Sequence, residues 1–261
     1  MQFRRLFLIL LFIVCSVFPA YSQNIYEYGP GFVPETRGGR LLKEFVDRLQ
    51  PRKMKMILDE EPEDSGRIRT VYMEIADPVI GNIQIEDLTL DAYDVEFNPP
   101  SSWSEDGIEA RNILLVHAKT CIREDDINET LARKAFGHDE HWHGLRIDFK
   151  PEGIYARGYY LAKVLMVKLD ILIEISGQLK VVDRQQIWLD KYALKVNKVS
   201  VPDSVTERAM GKIQPIIDLS KFMFPLELDT VRQDEERVYI RSHILPEPFD
   251  GITYRYSVTA E

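Results

Sequence analysis

The stretch from Leu169 to Val181 constrains the fold of this chain more than any other part of the sequence. Its seven odd positions are all apolar or glycine, whereas five of its six even positions are polar. Alternation with a period of two predicts a β-strand that has one apolar face. At about 3.3 Å per residue the strand spans roughly 43 Å, far more than a usual strand of about five or six residues. Gly177 offers a place for so long a strand to bend.

The rest of the chain predicts an α+β domain. Apolar residues recur at helical spacing in 40–49 and 123–136, and a further helix begins at Pro202. In the segment from Ile83 to Phe97 the apolar positions change from odd to even and back, and each slip predicts a bulge. Long antiparallel strands with bulges predict a strongly curved sheet wrapped around the amphipathic helices.

The last predicted helix carries an apolar stripe that we expect to face the long strand. Pro215 lies within this segment and is expected to kink the helix or to end its regular part. The stripe consists of Val205, Ala209, Ile213, Ile216 and Ile217.

Residues 1–22 are typical of a secretory signal peptide. Arg4 and Arg5 precede an apolar run of 15 residues, and small residues at Ala20 and Ser22 fit a cleavage site. This run is shorter than the roughly 17–25 residues that span a bilayer. We therefore expect cleavage after Ser22 and export to the periplasm or cell envelope, with an uncleaved anchor as the lesser alternative. Glycine and proline in 23–40 predict a linker, and 41–261 is expected to form a single domain.

Charge and cysteine content exclude two classes of interaction. The chain has 33 basic and 42 acidic residues, a net charge of −9, and loss of Arg4 and Arg5 with the signal peptide makes it −11. So acidic a chain is a poor nucleic-acid binder, since a duplex demands a basic face. Cys15 belongs to the signal peptide, so the mature chain keeps Cys121 alone and forms no internal disulfide. We expect Cys121 to be buried and inert.

Signatures of catalysis are weak. The run His-Asp-Glu-His-Trp-His at 138–143 contains residue types that ligate zinc, but its spacing is not that of a helical His-x-x-x-His pair. His138, His141 and His143 are therefore weak metal candidates, and a metal-dependent hydrolase built on them is a third interpretation. The sequence has no Gly-x-Ser-x-Gly elbow, phosphate loop or dinucleotide fingerprint. We expect neither an enzyme nor a cofactor.

Two further motifs have ordinary explanations. Arg52, Lys53 and Lys55 alternate with Met54 and Met56, and a solvated strand edge is favoured over contact with anionic lipid head groups. The glycosylation triplet at 128–130 lies in the middle of a predicted helix, so we expect it to be a chance match.

The long apolar strand leaves two interpretations open. It is either a wall of a closed core or part of a bent sheet around an apolar channel. Holding a chain of about fifteen methylenes in water costs on the order of 12 kcal/mol, at roughly 0.8 kcal/mol each. A lipid carrier therefore needs a dry groove tens of ångströms long, which a strand of this length suits. The pattern by itself favours the closed core.

The order of motifs from Ile122 to Ser242 carries a family resemblance. The acidic helix start at 124–128 leads to Leu-Arg-Ile at 145–147 and then to Ile-Glu-Ile-Ser-Gly-Gln-Leu-Lys-Val-Val-Asp at 173–183. Val-Pro-Asp-Ser at 201–204 begins the next helix, and Phe-Pro-Leu at 224–226 and the acidic hairpin at 234–236 follow. This order resembles the LmeA-like phospholipid-binding family of bacterial envelope proteins, which is itself similar to tubular lipid-binding folds. The stretch 201–226 is the most specific part.

The resemblance implies an exported, non-catalytic protein that binds phospholipid or a similar amphiphile, for lipid transport or envelope maintenance. Its expected partners are this lipid and, transiently, a membrane surface. The alternative is an envelope interaction or assembly protein with a closed core and no lipid cargo. Phe222 and Phe224 are expected to guard a channel mouth or to touch a membrane. The predicted lipid-binding residues are Leu169, Ile171, Ile173, Ile175, Leu179, Val181, Val205, Ala209, Ile213, Ile216, Ile217, Phe222 and Phe224.

Overall fold

The computed structural model describes residues 24–80, 83–133, 141–164, 167–211, 214–219 and 226–259. The predicted signal peptide lies outside these residues, as do His138, Ile213, Phe222 and Phe224. Within the described part, no helix combines the length and the hydropathy needed to cross a bilayer.

The described residues contain four helices and many strands, and the chain includes a strongly curled, half-barrel sheet. This confirms the predicted α+β class and the curvature of the sheet. The helices are α1 (Arg37–Leu49), α2 (Trp103–Asp106), α3 (Glu124–Arg133) and α4 (Asp203–Met210). The strands are β1 (Ile25–Tyr28), β2 (Lys53–Leu58), β3 (Arg67–Ala76), β4 (Val79–Ile80), β5 (Ile83–Gln84), β6 (Asp87–Phe97), β7 (Ala110–Arg123), β8 (Trp142–Lys150), β9 (Gly153–Val164), β10 (Val167–Val182), β11 (Gln186–Val196), β12 (Val199–Ser200), β13 (Ile217–Asp218), β14 (Thr230–Gln233), β15 (Arg237–Arg241) and β16 (Ile252–Ser257).

The strands form two large sheets rather than one. The first sheet has the order β1-β16-β2-β3-β6-β7-β15-β14, and the second has the order β12-β11-β10-β9-β8, with β13 also paired to β11. Strands β4 and β5 form a separate short hairpin. The second sheet is an insertion in the first, because the chain leaves the first sheet after β7 and returns to it at β14. Adjacent strands of both sheets are antiparallel except β1 and β16.

Helix α1 packs its apolar stripe into the core of the first sheet. Leu41, Leu42 and Phe45 are each at most 1% exposed. The hydroxyl of Thr36 accepts a hydrogen bond from the backbone N–H of Gly39 at 2.9 Å, which satisfies a free donor at the helix start. A Cβ on Gly38 would lie 2.5 Å from the ring of Tyr254, so the close approach of α1 to β16 requires glycine there.

The predicted linker contains regular structure. Residues 25–28 form β1, which lies parallel to β16 at the edge of the first sheet, and α1 already begins at Arg37. The stacked rings of Tyr26 and Tyr254, with centroids 5.0 Å apart, help to hold this edge. Part of 23–40 therefore belongs to the folded domain.

In three neighbouring strands of the first sheet, the regular alternation of buried and exposed residues is interrupted. Ile68 and Val95 are paired and buried, whereas the next buried pair is Val71 and Ala92, an odd number of residues away. Asp94 adopts a positive φ of 47° between them, and pairing with β7 shifts between Glu96 and Phe97. One predicted slip is therefore a real irregularity within β6. The other predicted slip falls in the gap between β5 and β6, so Ile83–Phe97 is not one strand.

Two local predictions are wrong. The basic segment Arg52–Met56 is not a sheet edge, because β2 pairs with β16 on one side and with β3 on the other, which buries Met54 and Met56. The helix beginning near Pro202 ends at Met210, just before Gly211, so the helical stripe does not reach Ile216 and Ile217. Ile217 instead lies in β13, paired with β11.

Helix α3 connects the two sheets, and Asn128 of this helix forms hydrogen bonds to the second sheet. Its side-chain amide donates to the carbonyl oxygen of Ile147 and accepts from the N–H of Ile147, both at 2.8 Å. These two hydrogen bonds give the asparagine of the glycosylation triplet a structural role.

We expect Asn128→Ala to lower the free energy of unfolding by about 1–3 kcal/mol, because two backbone groups of β8 lose their partner. Denaturant titration measures this change. Asn128→Asp, which keeps the acceptor, should cost less, and equal stability of all three proteins would contradict the role.

Candidate functional site

The second sheet has one continuous apolar face. Paired residues of antiparallel strands point to the same side of a sheet, so the register identifies the members of that face. On β10, Leu169 pairs with Ala162 of β9. Ile173 pairs with Gly158 of β9 on one side and with Val196 of β11 on the other. We call the following set the apolar face: Trp142, Leu145, Ile147 and Phe149 of β8; Ile154, Ala156, Gly158, Tyr160 and Ala162 of β9; Leu169, Ile171, Ile173, Ile175, Leu179 and Val181 of β10; Ile187, Leu189, Leu194 and Val196 of β11.

Burial of the apolar face falls steadily from one end to the other. At the closed end, Ile187 is fully buried and Leu189 and Phe149 are at most 5% exposed, and all three join the main hydrophobic core. Along β10, Ile175 and Ile173 are half-buried, and Leu169 at the open end is 44% exposed. The apolar surface of the core therefore continues outward onto a sheet that is only partly covered. A contiguous exposed apolar surface of this kind marks a ligand or interaction site, unlike single exposed apolar residues.

The opposite face of the same sheet is polar and internally paired. His143 lies 2.9 Å from Asp170, and Arg146 donates to Asp148 at 2.8 Å. The hydroxyl of Tyr155 donates to the Glu174 carboxylate, and this hydrogen bond raises the pKa of Tyr155. The first pair joins β8 to β10, the second lies within β8, and the third joins β9 to β10 and is partly buried. The sheet is therefore amphipathic, with its continuous apolar surface on one side, although Leu172 and Trp188 lie on the other side.

Two glycines shape the apolar face. Pairing of β10 with β11 shifts between Ser176 and Gln178, so the predicted bend at Gly177 is a bulge. A Cβ on Gly177 would lie 2.6 Å from the side chain of Leu189, and one on Gly158 would lie 2.5 Å from that of Leu145. Each glycine makes room for a leucine side chain to lie across the sheet, which keeps the face smooth and apolar.

A separate cleft lies on the first sheet and suits an acyl chain poorly. It has a volume of about 800 Å³, and seven of its seventeen lining residues are charged, including Lys53, Asp87 and Lys119. Two ion pairs cross it, Lys55 with Glu74 at 3.7 Å and Arg255 with Glu27 at 3.3 Å. Burying hydrocarbon there would desolvate these charges, so the apolar face is the better candidate for a lipid.

Comparison with protein families identifies the family to which this chain belongs. A model of LmeA-like phospholipid-binding proteins matches residues 65–242, about two thirds of the sequence. The chain belongs to the LmeA-like phospholipid-binding family. The match extends the resemblance seen from residue 122 back to residue 65, so it includes β3, β6 and β7 of the first sheet as well as the entire apolar face. No curated protein and no solved structure matches the chain.

The predicted lipid-binding residues of this LmeA-like protein separate into four groups. The six on β10 lie side by side on the apolar face, in register with apolar residues of β9 and β11. On α4, Ala209 is half-buried but Val205 is 51% exposed, and the buried residues of the helix are Thr206 and Met210. Ile217 borders the apolar face as the partner of Ile187, whereas Ile216 before it is 38% exposed. Ile213, Phe222 and Phe224 lie outside the described residues.

The sequence analysis missed more than half of the apolar face. The missed residues are those of β8, β9 and β11, including Ile147, Ala156, Tyr160 and Val196. A usable signal existed in β9, where the alternate residues are Ile154, Ala156, Gly158, Tyr160 and Ala162 and the residues between them are polar or aromatic except for Leu161. Alanine and glycine weaken that alternation, so it is harder to see than the isoleucine repeat of β10.

The histidine run contributes no metal site among the described residues, which contain no group of three potential ligands. His143 is paired with Asp170 and stacks on Tyr159, with ring centroids 5.4 Å apart. The ring of His141 stacks on Tyr160. His138 lies outside the described residues.

Cys121 is buried in β7, 5% exposed, as predicted. Burial raises the pKa of its thiol to about 12, with a further contribution from the Glu86 carboxylate, which accepts its hydrogen bond at 3.3 Å.

At pH 8 we expect the thiol of Cys121 to react about 1,000-fold more slowly than free cysteine, because only the thiolate is nucleophilic. Titration with a thiol reagent measures this rate, and unfolding the protein should restore it. Rapid reaction of the folded protein would contradict this environment.

Proposed function

We propose that this protein is exported, is not an enzyme, and holds phospholipid or a similar amphiphile by laying acyl chains against the apolar face. The observation that carries the proposal is the continuous, half-exposed apolar face in a member of a phospholipid-binding family. Membership of the family supports lipid as the ligand, and the register of β8 to β11 supports where the lipid lies.

The free energy for binding comes from removing hydrocarbon from water. Each buried methylene contributes roughly 0.8 kcal/mol, so about fifteen contribute on the order of 12 kcal/mol before the cost of immobilising the chain. The six β10 positions from Leu169 to Val181 extend along nearly the whole strand, which gives a chain of this length continuous contact. The closed end, where Ile187 and Leu189 are buried, receives the chain terminus. The polar head group stays at the open end, near Leu169.

The proposal includes a biological setting. Cleavage after Ser22 releases the mature protein into the periplasm or cell envelope, where a water-soluble carrier is needed to move phospholipid between membranes or to maintain the envelope. In this setting the second sheet and its neighbouring helices enclose the lipid in the manner of tubular lipid-binding proteins. Contact with a membrane surface is transient.

Native mass spectrometry of the mature protein, purified from its own envelope, tests the proposal. We expect about one phospholipid molecule per chain, identified after extraction. An empty protein that also takes up no fluorescent phospholipid would contradict the proposal and favour the envelope assembly role with a closed core. The same spectrum reports stoichiometric zinc, which would favour the metal-dependent hydrolase.

A further inference from the structure

Four lysines surround the open end of the apolar face. Lys163 and Lys168 are directly paired near the β9–β10 connection, and Lys195 and Lys198 lie at the β11–β12 turn. All four are exposed. Within the described part of the chain, no carboxylate lies within 4 Å of any of their ammonium groups, since none of the ion pairs includes them. We call these four lysines the lysine tip.

Exposed apolar side chains lie among these cations. Val199 is 70% exposed and follows Lys198 directly, and Leu169 is 44% exposed beside Lys168. The turn that presents Val199 is held in place, because Asn197 donates its N–H to the carbonyl of Leu172 at 2.8 Å and accepts from the N–H of Leu172 at 2.9 Å. Val199 also pairs with Val196, a member of the apolar face. The exposed apolar surface at the tip is therefore continuous with the proposed lipid site.

The closed end of the same sheet has a different charge arrangement. There Lys150, Lys180 and Arg184 occur together with Glu152 and Asp183, so that basic and acidic residues nearly balance. Arg184 is in addition paired with Glu227 at 2.8 Å. The open end also carries two carboxylates, Asp170, which is paired with His143, and Glu174, which lies opposite Lys195 and accepts from Tyr155. Four lysines against two carboxylates that already have other partners give the open end a larger excess of positive charge than the closed end.

We propose that the lysine tip docks on an anionic membrane surface and brings the open end of the apolar face to the bilayer. This inference rests on the proposed function, because it names the surface from which that site exchanges its lipid. The whole chain, with its net charge of −9, is repelled by an anionic surface, so the tip determines which side approaches. The lysines bind phosphate head groups, while Val199 and Leu169 enter the interfacial region.

Vesicle flotation with the mature protein tests the proposal. Wild type is expected to bind vesicles of phosphatidylcholine mixed with phosphatidylglycerol, and to bind pure phosphatidylcholine at least about tenfold less, since an anionic surface attracts each lysine by a few-fold in affinity. Lys195→Glu with Lys198→Glu should weaken binding to the mixed vesicles about 25-fold or more, because each lost lysine contributes roughly fivefold. Lys150→Glu with Lys180→Glu changes the total charge equally at the closed end and should weaken it less than about threefold.

Lipid uptake from detergent micelles separates docking from lipid binding. The Lys195→Glu, Lys198→Glu protein is expected to take up fluorescent phospholipid from micelles as wild type does, because neither side chain belongs to the apolar face. Equal flotation of wild type on both vesicle types, or equal loss in the tip and control variants, would overturn the docking proposal. Failure of wild type to take up lipid from micelles would instead contradict the proposed function, whatever the vesicles show.

Discussion

Ile173→Asp is expected to lower the affinity of the protein for phospholipid by at least about 100-fold, because a bound acyl chain would desolvate the new carboxylate at a cost of roughly 3 kcal/mol or more. Ile173 lies in the middle of β10, half-buried, between Gly158 of β9 and Val196 of β11. Without lipid this position is partly hydrated, so the variant should fold. Titration with a fluorescent phospholipid measures the affinity.

Ser176→Asp is the matched control for this variant. Ser176 lies on the same strand but points to the exposed polar face, so the same carboxylate there should leave lipid binding unchanged. Circular dichroism establishes that both variants are folded. If Ile173→Asp bound phospholipid like wild type while folding normally, the assignment of the apolar face as the lipid site would be wrong.

Phe45→Ala is expected to produce the largest loss of stability, about 3–5 kcal/mol in the free energy of unfolding. Phe45 is 1% exposed and belongs to the hydrophobic core between α1 and the first sheet. Removing its ring leaves a cavity that the close contact of Gly38 with Tyr254 prevents α1 from filling. Urea denaturation followed by circular dichroism measures the change.

Lys43→Ala on the same helix is the control for Phe45→Ala. Lys43 is half-buried, with its ammonium 5.8 Å from the centroid of the Phe32 ring, and it pairs with Asp47 at 2.9 Å, a contact worth about 0.3–0.5 kcal/mol. The folded Phe45→Ala protein should still bind phospholipid, since α1 packs against β2 and β16 of the first sheet. A loss of less than about 1 kcal/mol in Phe45→Ala would show that α1 contributes little to the core.

The parts of the fold that sequence reasoning predicted are those that depend on local pattern. The isoleucine repeat of 169–181 lies in β10, the predicted bend at Gly177 is a bulge, and the apolar spacing of 40–49 corresponds to most of α1. In each case the signal lies within a few residues of the structure it produces. Periodicity therefore identified one wall of the candidate site before its partners were known.

The parts that it missed depend on contacts between distant residues. Strand β1 exists because Ile25–Tyr28 pairs with β16 near the other end of the sequence, and nothing within 23–40 signals that partner. The end of α4 was also mispredicted, because the apolar residues Ile216 and Ile217 fit a helical stripe although Gly211 and Pro215 interrupt the helix. Ile217 is apolar because it pairs with Ile187 in the second sheet, a contact that periodicity does not report.

Photocrosslinking with a phospholipid that carries a diazirine on its acyl chain tests the central claim most directly. After loading and irradiation of the mature protein, peptide mass spectrometry locates the labelled residues. We predict labels on the apolar face, in the segments 142–149, 156–162 and 169–181, and loss of these labels in Ile173→Asp. Labels confined to the first sheet, or no labelling of a lipid-loaded protein within these segments, would contradict the assignment of the lipid site.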